Sequence, residues 1–278
     1  MVIRELLTKT AKALNGIDNY MFEAHLIVRT VLGLSPMDLV LSHQKEVEED
    51  KLEVISDYVK RRISGEPLQY ILGTQEFMGI EFEVAKEVLI PRADTETLVE
   101  AVLTHLAKNG ASVLDIGSGS GCVGLSVAYH NKRVLLRGID VSDYALELSK
   151  RNAKRLGLDD RTDFVRADIL TDNLAGKYDV IVSNPPYIRT DVIPTLMDEV
   201  QFFEPHLALD GGEDGLKFYR VITEKATKLL NEKGLLAFEI GYDQGMAVSA
   251  MMSEKFDSVQ VIKDLAGNDR VVTGILKC

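Results

Sequence analysis

The 278-residue chain carries 32 Lys and Arg against 43 Asp and Glu, a formal net charge of −11 at pH 7. Nucleic acid is bound largely by neutralising phosphates with basic side chains, so this charge disfavours free nucleic acid as a partner unless the basic residues gather on one face. Hydrophobic residues make up 46% of the chain, which excludes wholesale disorder, and the length holds one large domain or two ordinary ones.

No run approaches the roughly 20 apolar residues that a membrane-spanning helix needs. The start, Met1 to Glu5, lacks the charged-then-apolar pattern of a secretion signal. The two cysteines, Cys122 and Cys278, make no disulfide framework and point to a reducing compartment, here the cytoplasm. The histidines are scattered, so no metal site is expected.

The first 73 residues read as a small helical bundle. Leu6, Leu7, Ala11 and Leu14 recur at helical spacing, as do Ala24, Ile27, Val28 and Val31. Gly33 and Pro36 break the pattern. Residues 47–63 carry Leu52, Ile55, Val59 and Ile63 on one face and charges on the other. Residues 74–93 change character: Ile80, Phe82 and Val84 alternate with Glu81 and Glu83, and Gly79 can turn the chain. A β-hairpin linking two domains is expected there, with a third region from residue 94 to 278.

From Asp94 helices and strands alternate. Asp94 or Thr95 can cap a helix running to about Lys108. Strands follow at 112–116, 134–139, 163–166 and 179–183, with helices at 121–130 and 142–156. A helix fits 214–231, a strand 235–240 and a helix 243–255. Two last strands, near 258–263 and 270–276, leave no room for a helix between them and form a hairpin through Gly267 and Asn268. The order predicts an α/β domain with a mostly parallel sheet and one antiparallel strand.

Ligands of such sheets sit at the carboxyl ends of the strands. Asp115, Gly117, Ser118, Gly119, Ser120 and Gly121 occupy the end of the first of these strands and the turn into its helix. Glycines let the backbone touch a ligand, and the helix start adds N–H donors. Gly119, Gly121 and Gly124 also match the dinucleotide-binding spacing. Asp140, at the end of the second strand, suits two ribose hydroxyls or a helix cap, although Ser142 already fits the cap. Asp168 and Ile169 follow the third strand, where resemblance to S-adenosylmethionine-dependent methyltransferases implies an adenine slot, although an Asp there also serves as a turn residue.

Asn184, Pro185, Pro186 and Tyr187 follow the apolar strand Val180 to Ser183. Two prolines stiffen the backbone and remove N–H donors, so carbonyl oxygens dominate. The Asn184 side-chain oxygen and the Pro185 carbonyl can each accept one N–H of a planar NH2 group, with Tyr187 packed on its flat face. The segment resembles that of methyltransferases acting on exocyclic or amide nitrogen, and no dinucleotide enzyme pattern requires it.

The Asp-x-Gly-x-Gly-x-Gly run at 115–121 resembles the first motif of S-adenosylmethionine-dependent methyltransferases. With residues 65–70, 90–96, 203–219 and 264–272, the chain resembles, over nearly its whole length, the peptide chain release factor glutamine N5-methyltransferases of the HemK/PrmC family. Ala93 departs from the proline common there. The resemblance implies a Rossmann-like class I methyltransferase domain after a helical substrate-recognition domain. It implies S-adenosylmethionine as cofactor, with Asp115 at its methionyl part, and as substrate the glutamine of the Gly-Gly-Gln motif in bacterial class I release factors. Asn184, Pro185 and Tyr187 are then catalytic, and Pro186, Arg92 and Glu204 join them around the substrate. The alternative is an amino-methyltransferase of adenine N6 or guanine N2 in nucleic acid. No basic reading surface supports it: Lys60, Arg61 and Arg62, and Lys150, Arg151, Lys154 and Arg155, read as solvated helix faces. A monomer is expected, and Cys122 reads as packing.

Overall fold

The computed structural model describes residues 1–106 and 110–278. They divide into two units: residues 1–73 with 198–203, and residues 74–197 with 204–278. Among the described residues, no helix is long and apolar enough to cross a membrane.

The first unit contains α1 (Ile3–Ala13), α2 (Tyr20–Leu32), α3 (Pro36–Leu41), α4 (Glu49–Ile63) and α5 (Leu68–Leu72). Leu6, Leu14, Ala24, Ile27, Val28, Ile55 and Val59 form its core, at the helical spacing read from the sequence. Ser35 caps α3 by accepting the Asp38 N–H, and Pro36 fills the first helical position, where its missing donor costs nothing. α9 (Asp198–Phe203), in a stretch given no element by the sequence reading, belongs to this unit.

One expectation fails here. Arg62 is not on a solvated face: only 6% of its side chain is exposed, and it pairs with Glu23 and Glu199, each at 2.7 Å. The guanidinium fork serves two carboxylates at once, which a helical wheel cannot reveal. Arg61 pairs with Glu66 at 2.7 Å.

The second unit opens with β1 (Thr74–Phe77) and β2 (Ile80–Glu83), an antiparallel hairpin with Phe77 opposite Ile80. Met78 and Gly79 both have positive φ, 54° and 70°, the handedness that a two-residue turn between twisted strands demands. Glu96 accepts the Met78 N–H at 2.6 Å and compensates that placement of a non-glycine residue.

A seven-stranded sheet follows, from β3 (Ala111–Ile116), β4 (Val134–Asp140), β5 (Thr162–Arg166), β6 (Tyr178–Ser183), β7 (Leu230–Glu239), β8 (Phe256–Lys263) and β9 (Asp269–Leu276). Its order is β5-β4-β3-β6-β7-β9-β8, and β9 runs opposite to the other six strands. Strand residues alternate between two faces. Val113, Val180, Val182 and Leu235 pack with α6 (Glu96–Leu106), α7 (Cys122–His130) and α8 (Asp143–Arg155). Leu114, Ile116, Ile181 and Leu236 pack with α10 (Lys217–Leu229) and α11 (Gly245–Ser253). A sheet buried on both faces is what continuous apolar strands require. On the surface of α8, Arg151 and Arg155 pair with Glu83 and Glu81 of the hairpin.

Boundaries differ in places. The helix expected over 214–231 starts at Lys217, after Gly215 at φ 72°. β7 begins at Leu230, not 235, because Leu230 pairs with Tyr178 before a bulge carries residues 231–234 out of register. Lys108, the expected end of α6, lies outside the described residues. The sheet reverses direction of growth between β3 and β6, and open α/β sheets bind ligands in the crevice at such a switch point.

Candidate active site

One pocket lies at the carboxyl ends of β3, β4 and β6. Arg92, Asp115, Gly117, Ser118, Gly119, Ser120, Asp140, Asp168, Ile169, Asn184, Pro185 and Pro186 line it. Gly121, Tyr187 and Glu204, also expected at the site, are not among the residues that line it.

The glycine loop leaves β3 with Gly117, Gly119 and Gly121 at φ 72°, 55° and 81°, a left-handed path that side-chain-bearing residues rarely take. The N–H groups of Gly117 and Ser118 donate to the Ile139 carbonyl at 2.8 and 3.0 Å. The Gly119 N–H donates to Asp140 Oδ2 at 2.9 Å, and Asp140 Oδ1 accepts the Ser142 N–H at 2.9 Å. Asp140 therefore ties the loop to the end of β4, while Ser142 caps α8 itself by accepting the Ala145 N–H. Gly124 has a packing reason. A β-carbon there would lie 2.7 Å from Leu136 and 2.8 Å from the Asp115 carboxylate. The apparent dinucleotide spacing is thus accounted for by close approach of α7 to β3.

Asp115 is 1% exposed and accepts the Gly124 N–H at 3.0 Å. Burial lifts its carboxyl to about 7 and the neighbouring Asp140 adds to the rise, against the Gly124 bond. Asp140 is raised by burial too, opposed by N–H groups of Ser142, Gly119 and Val141. Asp168 turns its carboxylate to the Leu170 N–H at 2.8 Å. Ile169 is buried and offers an apolar wall. Cys122, pushed up to about 12 by burial, is no nucleophile.

Ser183 Oγ donates to the Ile116 carbonyl at 2.7 Å and locks the ends of β6 and β3 together. The next four residues leave the sheet as a stiff segment. Asn184 Nδ2 donates to Thr95 Oγ1 at 3.4 Å. The Tyr187 hydroxyl donates to Glu239 Oε1 at 3.3 Å, and its carbonyl accepts from Gln244 Nε2 at 3.0 Å. Ile188 pairs with the 209–211 segment through Ile188 N–H to Leu209 O at 3.0 Å and Gly211 N–H to Ile188 O at 2.8 Å. Asp214 accepts the Leu216 N–H at 3.1 Å and pairs with Arg220, so it braces the first turn of α10.

Arg92 forms an ion pair with Glu204, whose side chain is 1% exposed against 41% for Arg92. The two residues expected near the substrate thus hold one another.

Thr95, read from the sequence only as a helix cap, and Glu239, Gln244 and Arg270 were not expected at the site. Thr95 and Glu239 are each 2% exposed. Burial raises Glu239 to about 7, opposed by the Thr95 hydroxyl, Arg270 and the Tyr187 hydroxyl. Burial lifts the Tyr187 hydroxyl far above the ordinary phenol range, and Glu239 adds to the rise. Arg270 pairs with Asp94 and Asp264, each at 3.1 Å. The advance signal for a site role at Thr95 and Arg270 was their place in two distinctive sequence runs, 90–96 and 264–272.

Comparison with known proteins agrees with this geometry. The methyltransferase small domain family matches residues 93–200, and the PrmC N-terminal domain family matches residues 5–73. The release factor glutamine methyltransferase of Clostridium acetobutylicum is 42% identical, with 99% of each chain covered. That of Agrobacterium fabrum is 40% identical over 93% of this chain and 91% of its own. Among solved structures, a methyltransferase from Pyrococcus furiosus has the same fold, with a TM-score of 0.54 at 19% identity over 83% of this chain and 99% of its own. A pocket at the switch point, an Asn-Pro-Pro-Tyr segment at its wall and relatives aligned from end to end place the chain in the release factor glutamine methyltransferase family.

Proposed function

We propose that the chain transfers a methyl group from S-adenosylmethionine to the side-chain amide nitrogen, N5, of the glutamine in the Gly-Gly-Gln motif of class I release factors. The observation that carries this reading is the stiff Asn184-Pro185-Pro186 segment lining the same pocket as Asp115 and Asp140. The names of the relatives supply the protein substrate.

The pocket fits the cofactor's chemistry. Asp115 and Asp140 are acceptors at two strand ends, and Ile169 and Phe218 add apolar wall. Ser118 Oγ is buried without a hydrogen-bond partner, a polar atom that a ligand would satisfy. Asp115 would hold the methionyl part, Asp140 the ribose, and Asp168 and Ile169 the adenine. When bound, the cofactor supplies an electrophilic methyl carbon.

An amide nitrogen is a poor nucleophile because its lone pair is delocalised into the carbonyl. The residues must therefore hold it in line at close range, which is where most of the rate gain comes from. Asn184 Oδ1 and the Pro185 carbonyl each accept one N–H and turn the lone pair outward. Pro186 keeps the row rigid. Tyr187 braces the segment from behind through Glu239. No general base is required, since the proton becomes acidic once the nitrogen is alkylated. Arg92 lines the pocket, and the buried Glu204 carboxylate holds it there. In the helical unit, Met37, Val40 and Leu41 stand 68–74% exposed on one face of α3, an apolar surface suited to gripping the release factor.

The test is label transfer from S-adenosylmethionine to purified release factor, DNA or RNA. Label enters the release factor, and Asn184→Ala lowers turnover by roughly a thousandfold with little change in cofactor affinity. Label in nucleic acid alone would overturn the substrate, and equal loss of turnover and cofactor affinity would overturn the role of Asn184.

A further inference from the structure

Two prolines in a row leave the segment that presents the amide acceptors with no N–H at 185 or 186 by which to be held. Its far end, at Tyr187, has to be fixed from outside. The Tyr187 carbonyl is met by the side chain of Gln244, which follows β7 and stands at the start of α11. Gln244 is 9% exposed and is not among the residues that line the pocket. Any effect it has on the reaction must pass through Tyr187.

All four hydrogen-bonding positions of the Gln244 amide are used. Nε2 donates to the Tyr187 carbonyl at 3.0 Å and to the Gly215 carbonyl at 3.2 Å. Oε1 accepts the Gly241 N–H at 2.9 Å and the Tyr219 hydroxyl at 3.2 Å. A backbone carbonyl only accepts and a backbone N–H only donates, so the main chain itself fixes which end of this amide points where. One side chain thus joins three segments: the Asn-Pro-Pro-Tyr run after β6, the turn before α10 and the end of β7. Two glycines leave room for it. A β-carbon on Gly215 would lie 2.5 Å from the Tyr187 carbonyl oxygen and 2.7 Å from Gln244 Nε2, and one on Gly241 would lie 3.1 Å from Gln244 Oε1.

We propose that Gln244 is a positioning residue for methyl transfer: by bridging the Tyr187 and Gly215 carbonyls it sets where Asn184 Oδ1 and the Pro185 carbonyl point. The proposal rests on the function given above. Without the amide, the Tyr187 carbonyl loses its donor and turns to find another. The prolines hold φ fixed at 185 and 186, so a rotation at Tyr187 is not absorbed between them and is passed on to Asn184. The two acceptors then leave the line along which nitrogen must meet the methyl carbon.

The experiment measures kcat at saturating S-adenosylmethionine, KM for release factor and cofactor affinity in wild type, Gln244→Met, Gln244→Glu and Tyr219→Phe. Gln244→Met keeps the length of the side chain and loses all four bonds. Gln244→Glu keeps the acceptor, and in neither protonation state can it donate to both carbonyls. Both lower kcat about tenfold or more, while KM for release factor and cofactor affinity change by less than about threefold. Tyr219→Phe removes one bond to Oε1 and leaves the Gly241 N–H and the bridge in place; its denaturant midpoint falls, and its kcat stays within about threefold of wild type. A kcat within about threefold of wild type in either Gln244 variant, a loss of cofactor affinity as large as the loss of kcat, or a loss of kcat in Tyr219→Phe as large as in the Gln244 variants would each overturn the proposal. If Gln244→Met does not fold, Gln244→Glu is judged against Tyr219→Phe in the same way. Wild-type protein that labels no release factor would instead defeat the proposed function itself.

Discussion

Gly211 offers a sharp test of how the Asn-Pro-Pro-Tyr segment is held. Its φ is not positive, so the residue is not there for backbone freedom. A β-carbon built on it would lie 2.8 Å from Tyr187 Cα, 2.9 Å from Gly215 Cα and 2.9 Å from the Pro186 carbonyl oxygen. All three are main-chain atoms, and none can rotate away. Ordinary carbon contacts need about 3.5 Å or more, so in Gly211→Ala each neighbour must retreat by more than half an ångström. Two of the three belong to the segment that presents the amide acceptors. Overpacking of this kind costs about 1–3 kcal/mol of stability. A shift approaching 1 Å at a positioning segment costs up to roughly a hundredfold in rate. The cofactor loop is untouched, so cofactor affinity stays within about threefold. Gly212→Ala is the control. Its φ of 87° strains an alanine, but its β-carbon meets only Lys217, at 3.4 Å. It loses about 1–2 kcal/mol of stability with turnover unchanged. Denaturant midpoints and single-turnover methylation measured on both variants decide the matter. Gly211→Ala turning over within about twofold of wild type would show that the 211–215 turn does not set the segment's position.

Two other outcomes follow from buried charge. Asp115 has an ordinary carboxyl value of 3.8 and is lifted to about 7 by burial. Between those values the unfolded chain has lost the proton that the folded chain keeps, so the stability this group contributes is full below about pH 4 and is lost as pH rises to about 7. In Asp115→Asn that slope disappears, and urea midpoints at pH 5 and pH 8 move closer together than in wild type; parallel curves would refute the assignment. Arg92→Ala removes one ion-pair partner of the buried Glu204 carboxylate, and costs about 1–3 kcal/mol, less than a fully buried pair because Arg92 is partly exposed. Arg189→Ala, which breaks an exposed pair with Asp191, leaves the denaturant midpoint unchanged, and a loss as large as that of Arg92→Ala would count against the distinction.

The α/β order was readable because its signals are local. Helical and strand periodicities differ, and turn residues such as Gly79 and Gly267 sit where the chain reverses. What the pattern hid was non-local. Residues 232–234, Glu, Lys and Gly, fall between the expected helix and strand, yet they lie within β7 because Leu230 has already paired with Tyr178. Arg62 reads as surface in a run of three cations, yet Glu23 and Glu199 reach it from 39 and 137 positions away along the chain and make it internal.

The site shows the same division at finer scale. Asp115, Asp140 and Asn184 were legible because each stands at a strand end, where a polar residue has no packing purpose, and because glycine and proline mark the backbone around them. Thr95 and Glu239 carry no such mark. Thr95 sits beside Asp94, where a hydroxyl reads as a helix cap, and Glu239 closes a strand whose preceding residues are apolar. Neither is marked by its local pattern, and each acquires its meaning only when the fold sets Thr95 against the Asn184 amide and Glu239 against the Tyr187 hydroxyl. A residue that positions another is defined by the distance between them, and that distance is a property of the sheet order. Residues that meet a ligand can therefore be found by their chemistry in one dimension, whereas those that aim them appear only once the strands are in place.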